Sequence, residues 1–106
     1  MEKRSLGAEP RMVGQLACEV IRNLQNGGVA ACGKHIPGLG AARLDPHMQL
    51  PVVSRPAARI REIDLVPFQQ AVAAGVAAIM TSHTLYEDLD PSIPATLSKR
   101  ILTDLL

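Results

Sequence analysis

The chain has 106 residues, of which 47% are hydrophobic and 20% charged, with a formal net charge of +1. That is the size of one small domain or of a piece of a larger one. Eleven Lys and Arg stand against ten Asp and Glu, with no basic run longer than Lys3-Arg4 or Lys99-Arg100, which excludes an electrostatic footprint for nucleic acid, and no apolar run approaches the ~20 residues of a membrane span.

In chain order, Pro10 after Glu9 suits the first turn of a helix. Met12, Val13, Leu16, Ala17, Val20, Ile21 and Leu24 then recur at helical spacing, and Gly27-Gly28 supplies the stop. Val29-Ala30-Ala31-Cys32 reads as a fully buried strand, with Lys34-His35 at its C-terminal end. From Ile36 to Pro56 the density of Pro and Gly predicts one loop of about twenty residues, a length uncommon in a compact domain unless it is functional or disordered. A short helical stretch over 57–61 and a helix with Asp64 as N-cap follow, the latter running to Ala74. Val76 to Met80 is the second predicted buried strand, ending in Thr81-Ser82-His83. A Pro-rich loop covers 85–96, and Ser98 caps a last helix to Leu106.

Helices alternating with strands predict parallel strands joined by right-handed crossovers. Both strands are apolar throughout, so both sheet faces are expected to be covered, yet two parallel strands leave unpaired edges. The polar groups gather after the strands, where α/β barrels keep their chemistry. The fold class is α/β: a partial (β/α)8 TIM-type barrel of about two βα units with flanking helices. Phe68 and Tyr86 are the only aromatic residues, so the core is built from Ala, Val, Leu, Ile and Met, and exposed strand edges with a tendency to associate are expected. Cys18 and Cys32 have no C-x-x-C spacing and read as buried small hydrophobes. MEKRSLGAEP has no apolar core of a secretory signal, which makes cytoplasmic the default location.

Two constellations can carry chemistry. Lys34-His35-Ile36-Pro37-Gly38-Leu39-Gly40 can present donors to a hydroxylated ligand; from spacing alone the plainer reading is a strand-to-loop transition with a solvated lysine. In Asp45-Pro46-His47 a carboxylate two residues from an imidazole can orient it and raise its basicity, although Asp before Pro is also a common turn pair. His83 reads more simply as a structural histidine. The three His are not at metal-ligand spacing, and Gly38-x-Gly40 fits neither nucleotide fingerprint.

Together, Lys34-His35-Ile36-Pro37-Gly38-x-Gly40, Asp45-x-His47 and Leu50-Pro51 resemble the glycoside hydrolase family 3 catalytic domain, in its bacterial β-N-acetylhexosaminidase branch. Arg4-Ser5-Leu6-Gly7, Asp64-x-x-Pro67-Phe68, Met80-Thr81-Ser82-His83 and Pro94-Ala95-Thr96-Leu97-Ser98 are similar to that branch in the same order. The resemblance implies a retaining, cofactor-free hydrolysis of terminal β-linked N-acetylglucosamine, with muropeptides of cell-wall recycling as substrates. It implies His47 as general acid/base, Asp45 as its dyad partner, Lys34 and His35 on sugar hydroxyls, and Arg4 on the N-acetylglucosamine; no metal is implied. Leu39 departs from the family's usual His, and Ile36 from its Phe. A full barrel takes about 250 residues, so residues 1–106 are expected to form an internal fragment whose nucleophilic Asp lies beyond Leu106. The alternatives are a family member using phosphate as acceptor, a non-catalytic remnant that binds sugar or protein, and a half-barrel completed by another chain.

Overall fold

The computed structural model describes residues 5–42 and 50–105. Helix α1 spans Pro10–Asn26, and its N-cap is the Glu9 side chain, which accepts from the backbone N–H groups of Arg11 and Met12 at 3.1 and 2.7 Å. These bonds satisfy two of the donors that every helix start leaves open. They also hold the Glu9 carboxyl below its usual range, the Met12 N–H contributing most. Gly27 closes the helix, and Gly28 takes a left-handed turn at φ +83°, as a helix stop requires.

Strand β1 is Cys32–Ile36 and strand β3 is Ala78–Thr81; they pair in parallel, with Cys32 opposite Ala78 and Lys34 opposite Met80. The apolar runs therefore lie partly ahead of the strands they announce: Val29 and Ala30 are an exposed approach to β1. Neither strand is buried on both faces. Alternate residues are exposed, Met80 at 46%, because two strands offer no further layer to cover the sheet. Cys32 is accordingly exposed, not buried, while Cys18 is half-buried and donates its thiol to the Gln70 carbonyl at 3.4 Å.

A second parallel pair joins strand β2, Val52–Val53, to strand β4, Leu85–Tyr86. Both fall in stretches read as loops from sequence. Helix α2, Ala57–Arg59, runs into a π-helical turn over Ile60–Asp64, and helix α3 follows over Val66–Ala73. Asp64 is thus inside a continuous helical path, and Leu65 takes the N-cap position assigned to it. Ser98 does cap helix α4, Lys99–Leu102, its hydroxyl accepting from the Ile101 N–H at 3.2 Å. That helix is a single turn, shorter than expected, preceded by a 3-10 turn over Ala95–Leu97.

The main core gathers Ile36, Val53, Ile60, Leu65, Tyr86, Leu89, Ala95 and Ile101 between the two sheets and the short helices. A smaller cluster of Ile21, Ala31 and Ala71 packs α1 against α3 and the β1 approach. Gln25 ties that layer together: its amide donates to the Gly75 carbonyl at 3.0 Å and accepts from the Ala77 N–H at 2.9 Å. The other face of α1 is bare, with Met12, Leu16, Val20 and Leu24 each more than 40% exposed. No described helix is long and apolar enough to cross a membrane.

Candidate active site

Because β1 and β3 are parallel, their C-terminal ends open on the same side. That is the side on which α/β folds place ligands. Within the C-terminal half of β1, Lys34 is exposed and His35 half-buried, while Ile36, its last residue, is 1% exposed and anchors the strand in the core. The register slips between Lys34 and Ile36, which face Met80 and Thr81, so His35 is the extra residue of a bulge. Bulges redirect side chains at sheet ends, commonly beside functional sites. The Lys34–His35 and Ile36–Pro37 peptide bonds are both cis.

The chain then turns. Gly38 sits at φ +128°, a conformation that strongly favours glycine, and a Cβ there would fall 2.8 Å from the Asp64 Cβ. Its carbonyl accepts from the Tyr86 hydroxyl at 2.7 Å, and Ala42 N–H donates to the Leu39 carbonyl at 3.0 Å. Asp64 in turn accepts from the Arg55 guanidinium at 2.7 Å, in a largely sheltered ion pair. Burial raises the Tyr86 pKa above its ordinary value, and the nearby Asp64 charge adds to the rise.

At the end of β3, Thr81 and Thr96 share a hydroxyl hydrogen bond of 2.8 Å, and Ser82 is buried, its N–H on the Ile36 carbonyl at 2.9 Å. His83 beside it is exposed. Lys34, His35 and His83 therefore share one end of the fold. Arg4, Asp45 and His47 lie outside the described residues. Among the described residues no group of three or more His, Cys, Asp or Glu side chains can hold a metal. The Arg55–Asp64 pair and the Tyr86 bond to Gly38 were not foreseen from sequence; their partners are nine and 48 residues apart and form no motif.

The chain as a whole has counterparts among known proteins. The profile of the glycosyl hydrolase family 3 N terminal domain matches residues 1–106. The chain belongs to this family. A beta-hexosaminidase of Thiobacillus denitrificans is 41% identical over 103 residues, covering 97% of this chain and 28% of the relative. A beta-hexosaminidase of Chromobacterium violaceum is 42% identical over 103 residues, covering 97% and 29%. The chain thus spans less than a third of the length of these curated relatives. Among solved structures, the family 3 beta-N-acetylglucosaminidase of Paenibacillus sp. superimposes with a TM-score of 0.88 at 41% identity, over 96% of this chain and 20% of that one. NagZ of Neisseria gonorrhoeae, solved with N-trifluoroacetyl-D-glucosamine, superimposes with a TM-score of 0.87 at 36% identity, over 95% of this chain and 29% of its own. The family 3 N-terminal domain has a TIM-barrel fold, and this chain presents about two of its βα units.

Proposed function

We propose that the chain is the acid/base-bearing portion of a retaining β-N-acetylhexosaminidase that releases terminal β-linked N-acetylglucosamine, acting in the cytoplasm on muropeptides of cell-wall recycling. The observation that carries this reading is the Lys34-His35 strand end with its Gly38 turn, in a chain 41% identical to a beta-hexosaminidase. In this reading Lys34, His35 and Arg4 hold the sugar through its hydroxyl and acetamido groups. His47 protonates the leaving glycosidic oxygen while a carboxylate outside these 106 residues attacks the anomeric carbon. The imidazole, neutral once that proton has gone, then takes a proton from the water that hydrolyses the glycosyl-enzyme, and Asp45 stabilises the imidazolium that opens and closes the cycle. Imidazole does both tasks near neutral pH without a large pKa shift, so no cofactor enters.

The test grafts the 106 residues in place of the matching stretch of the Thiobacillus denitrificans relative and measures hydrolysis of an aryl β-N-acetylglucosaminide. Turnover that His47→Ala lowers by about 10²–10⁴-fold, least for the most activated leaving group, supports the reading. Turnover indifferent to His47→Ala overturns it. The chain by itself is expected to give none.

A second reading, a half-barrel completed by a partner chain, is favoured by the bare apolar face of α1. Activity restored on mixing with the complementary part of a relative would support it.

A further inference from the structure

The sheet of β1 and β3 has one covered face and one bare face. On the covered face Ile79 packs on the main core, together with Phe68 of α3. On the other, Cys32, Lys34, Ala78 and Met80 are all exposed, and the register sets them in two cross-strand pairs, Cys32 with Ala78 and Lys34 with Met80. The first pair consists of small side chains; the second, nearer the C-terminal ends of the strands, consists of long ones. In a (β/α)8 barrel the helices form the outer ring, so the bare face is the inward one, and its C-terminal end borders the ligand site. Lys34 and Met80 therefore stand side by side on the wall of that site.

We propose that Met80 is a specificity-determining residue: its thioether meets the acetamido methyl of the sugar whose hydroxyl Lys34 holds. The proposal rests on the reading of Lys34 as a sugar contact. Partners in neighbouring strands lie about 4.8 Å apart, with their side chains on the same face. In N-acetylglucosamine the hydroxyl on C3 and the methyl of the acetamido group on C2 are separated by about one such spacing. An ammonium beside a thioether thus matches a polar and an apolar contact on adjacent ring carbons. Lysine offers donors alone, whereas methionine offers polarizable apolar surface that adapts to a small group. A few polar groups set in an apolar wall are the usual make-up of a small-molecule site. Met80 is 46% exposed, and a methyl group laid against it removes apolar surface from water on both sides of the contact. Glucose, with a hydroxyl on C2, has nothing to place there, which makes Met80 a discriminator between the amino sugar and glucose.

The test compares hydrolysis of aryl N-acetyl- and N-butyryl-β-glucosaminides by the graft into the Thiobacillus denitrificans relative. Met80→Ala makes room for the longer acyl chain. It is expected to shift the ratio of kcat/KM values about tenfold toward the butyryl substrate, the lower end of what one methylene is worth in an apolar pocket. Met80→Leu, of similar volume, is expected to keep the ratio. An unchanged ratio in Met80→Ala overturns the proposal, and so does an equal fall on both substrates, which would mark Met80 as packing of the barrel interior only. Lys34→Ala separates the two failures. It is expected to slow both substrates alike; if it slows neither, the reading of Lys34 as a sugar contact has failed and the proposal falls with it. Slowing by Lys34→Ala beside an unchanged Met80→Ala ratio overturns the proposal alone. If Met80→Ala does not fold in the graft, the 106-residue chain gives the same contrast without turnover. The NMR signal of the Met80 ε-methyl group is expected to move with N-acetylglucosamine and not with glucose, and a signal that moves with both or with neither overturns the proposal.

Discussion

Gly14 of α1 lies so close to Gln70 of α3 that a Cβ on Gly14 would fall 1.6 Å from the Gln70 side-chain oxygen. A methyl group on Gly14 must displace the end of the Gln70 side chain. That oxygen is buried and has no hydrogen-bond partner, so the contact is a fit of shape, not of polarity. In the wild-type chain Gly14→Ala is expected to lower stability by about 1–3 kcal/mol, the range for overpacking. In a Gln70→Ala background the same change becomes neutral or stabilising by up to ~1 kcal/mol, since alanine is the better helix former. Urea unfolding of the four chains of this cycle checks the change of sign.

Gln25 joins the end of α1 to the turn between α3 and β3 through both ends of its amide. Gln25→Ala is expected to cost about 1–2 kcal/mol, about 1 per hydrogen bond. Gln25→Glu is expected to do no better: its carboxylate still accepts from Ala77 but faces the Gly75 carbonyl, which needs a donor. The urea midpoints of the two variants test this.

Asp90 is buried and accepts from the Ser98 hydroxyl at 2.7 Å and the Ser92 N–H at 3.2 Å. The Ser98 bond is the main reason its pKa lies below the ordinary value. A carboxyl depressed in the folded state contributes stability that is fully present above its unfolded pKa and is lost as pH falls through the folded one. The urea midpoint is therefore expected to hold from pH 7 down to the usual carboxylate range near about 4, then fall. In Asp90→Asn the fall should be shallower, the remainder coming from Glu9, whose pKa is lowered by its capping bonds. A wild-type midpoint flat down to pH 2 would contradict this.

Met12, Leu16, Val20 and Leu24 form an uncovered stripe on α1, with Val72 of α3 51% exposed. Contiguous apolar surface of this kind marks an interface. Sedimentation velocity is expected to show association that grows with concentration, and Leu16→Glu with Val20→Glu to reduce it without lowering the melting temperature. A monodisperse monomer at all concentrations would count against this.

What the sequence revealed is mostly local. Glu9-Pro10, Gly27-Gly28 and Ser98 mark helix ends through bonds spanning a few residues, and all three were legible. Lys34 and His35 were read as following a strand that ends at Cys32; they lie within it, because β1 starts at Cys32 and runs on to Ile36. The errors are non-local. β2 and β4 are two residues long and exist only because each finds the other about 33 residues away, a pairing no window of sequence reports. Asp64 looked like a cap because Asp before an apolar helix usually is one; its carboxylate is instead taken by Arg55. The strands looked doubly buried because apolar composition announces a covered sheet, whereas among the described residues alternate positions of both strands stay exposed. The family was legible only from several short motifs taken in order, and the matching domain over residues 1–106 bears that resemblance out.

The order of the strand pairs has one more consequence. β1 joins β3 and β2 joins β4, so the two closures interleave along the chain. Borrowing a term from RNA, this is a pseudoknot of strands. No cut between β1 and β4 leaves both pairs within single pieces, and a cut between β2 and β3 severs both. Each closure must also wait for a long loop, whose entropy is lost before any sheet bond forms. The two sheets are thus expected to form together or not at all, which makes the 32–86 stretch one folding unit.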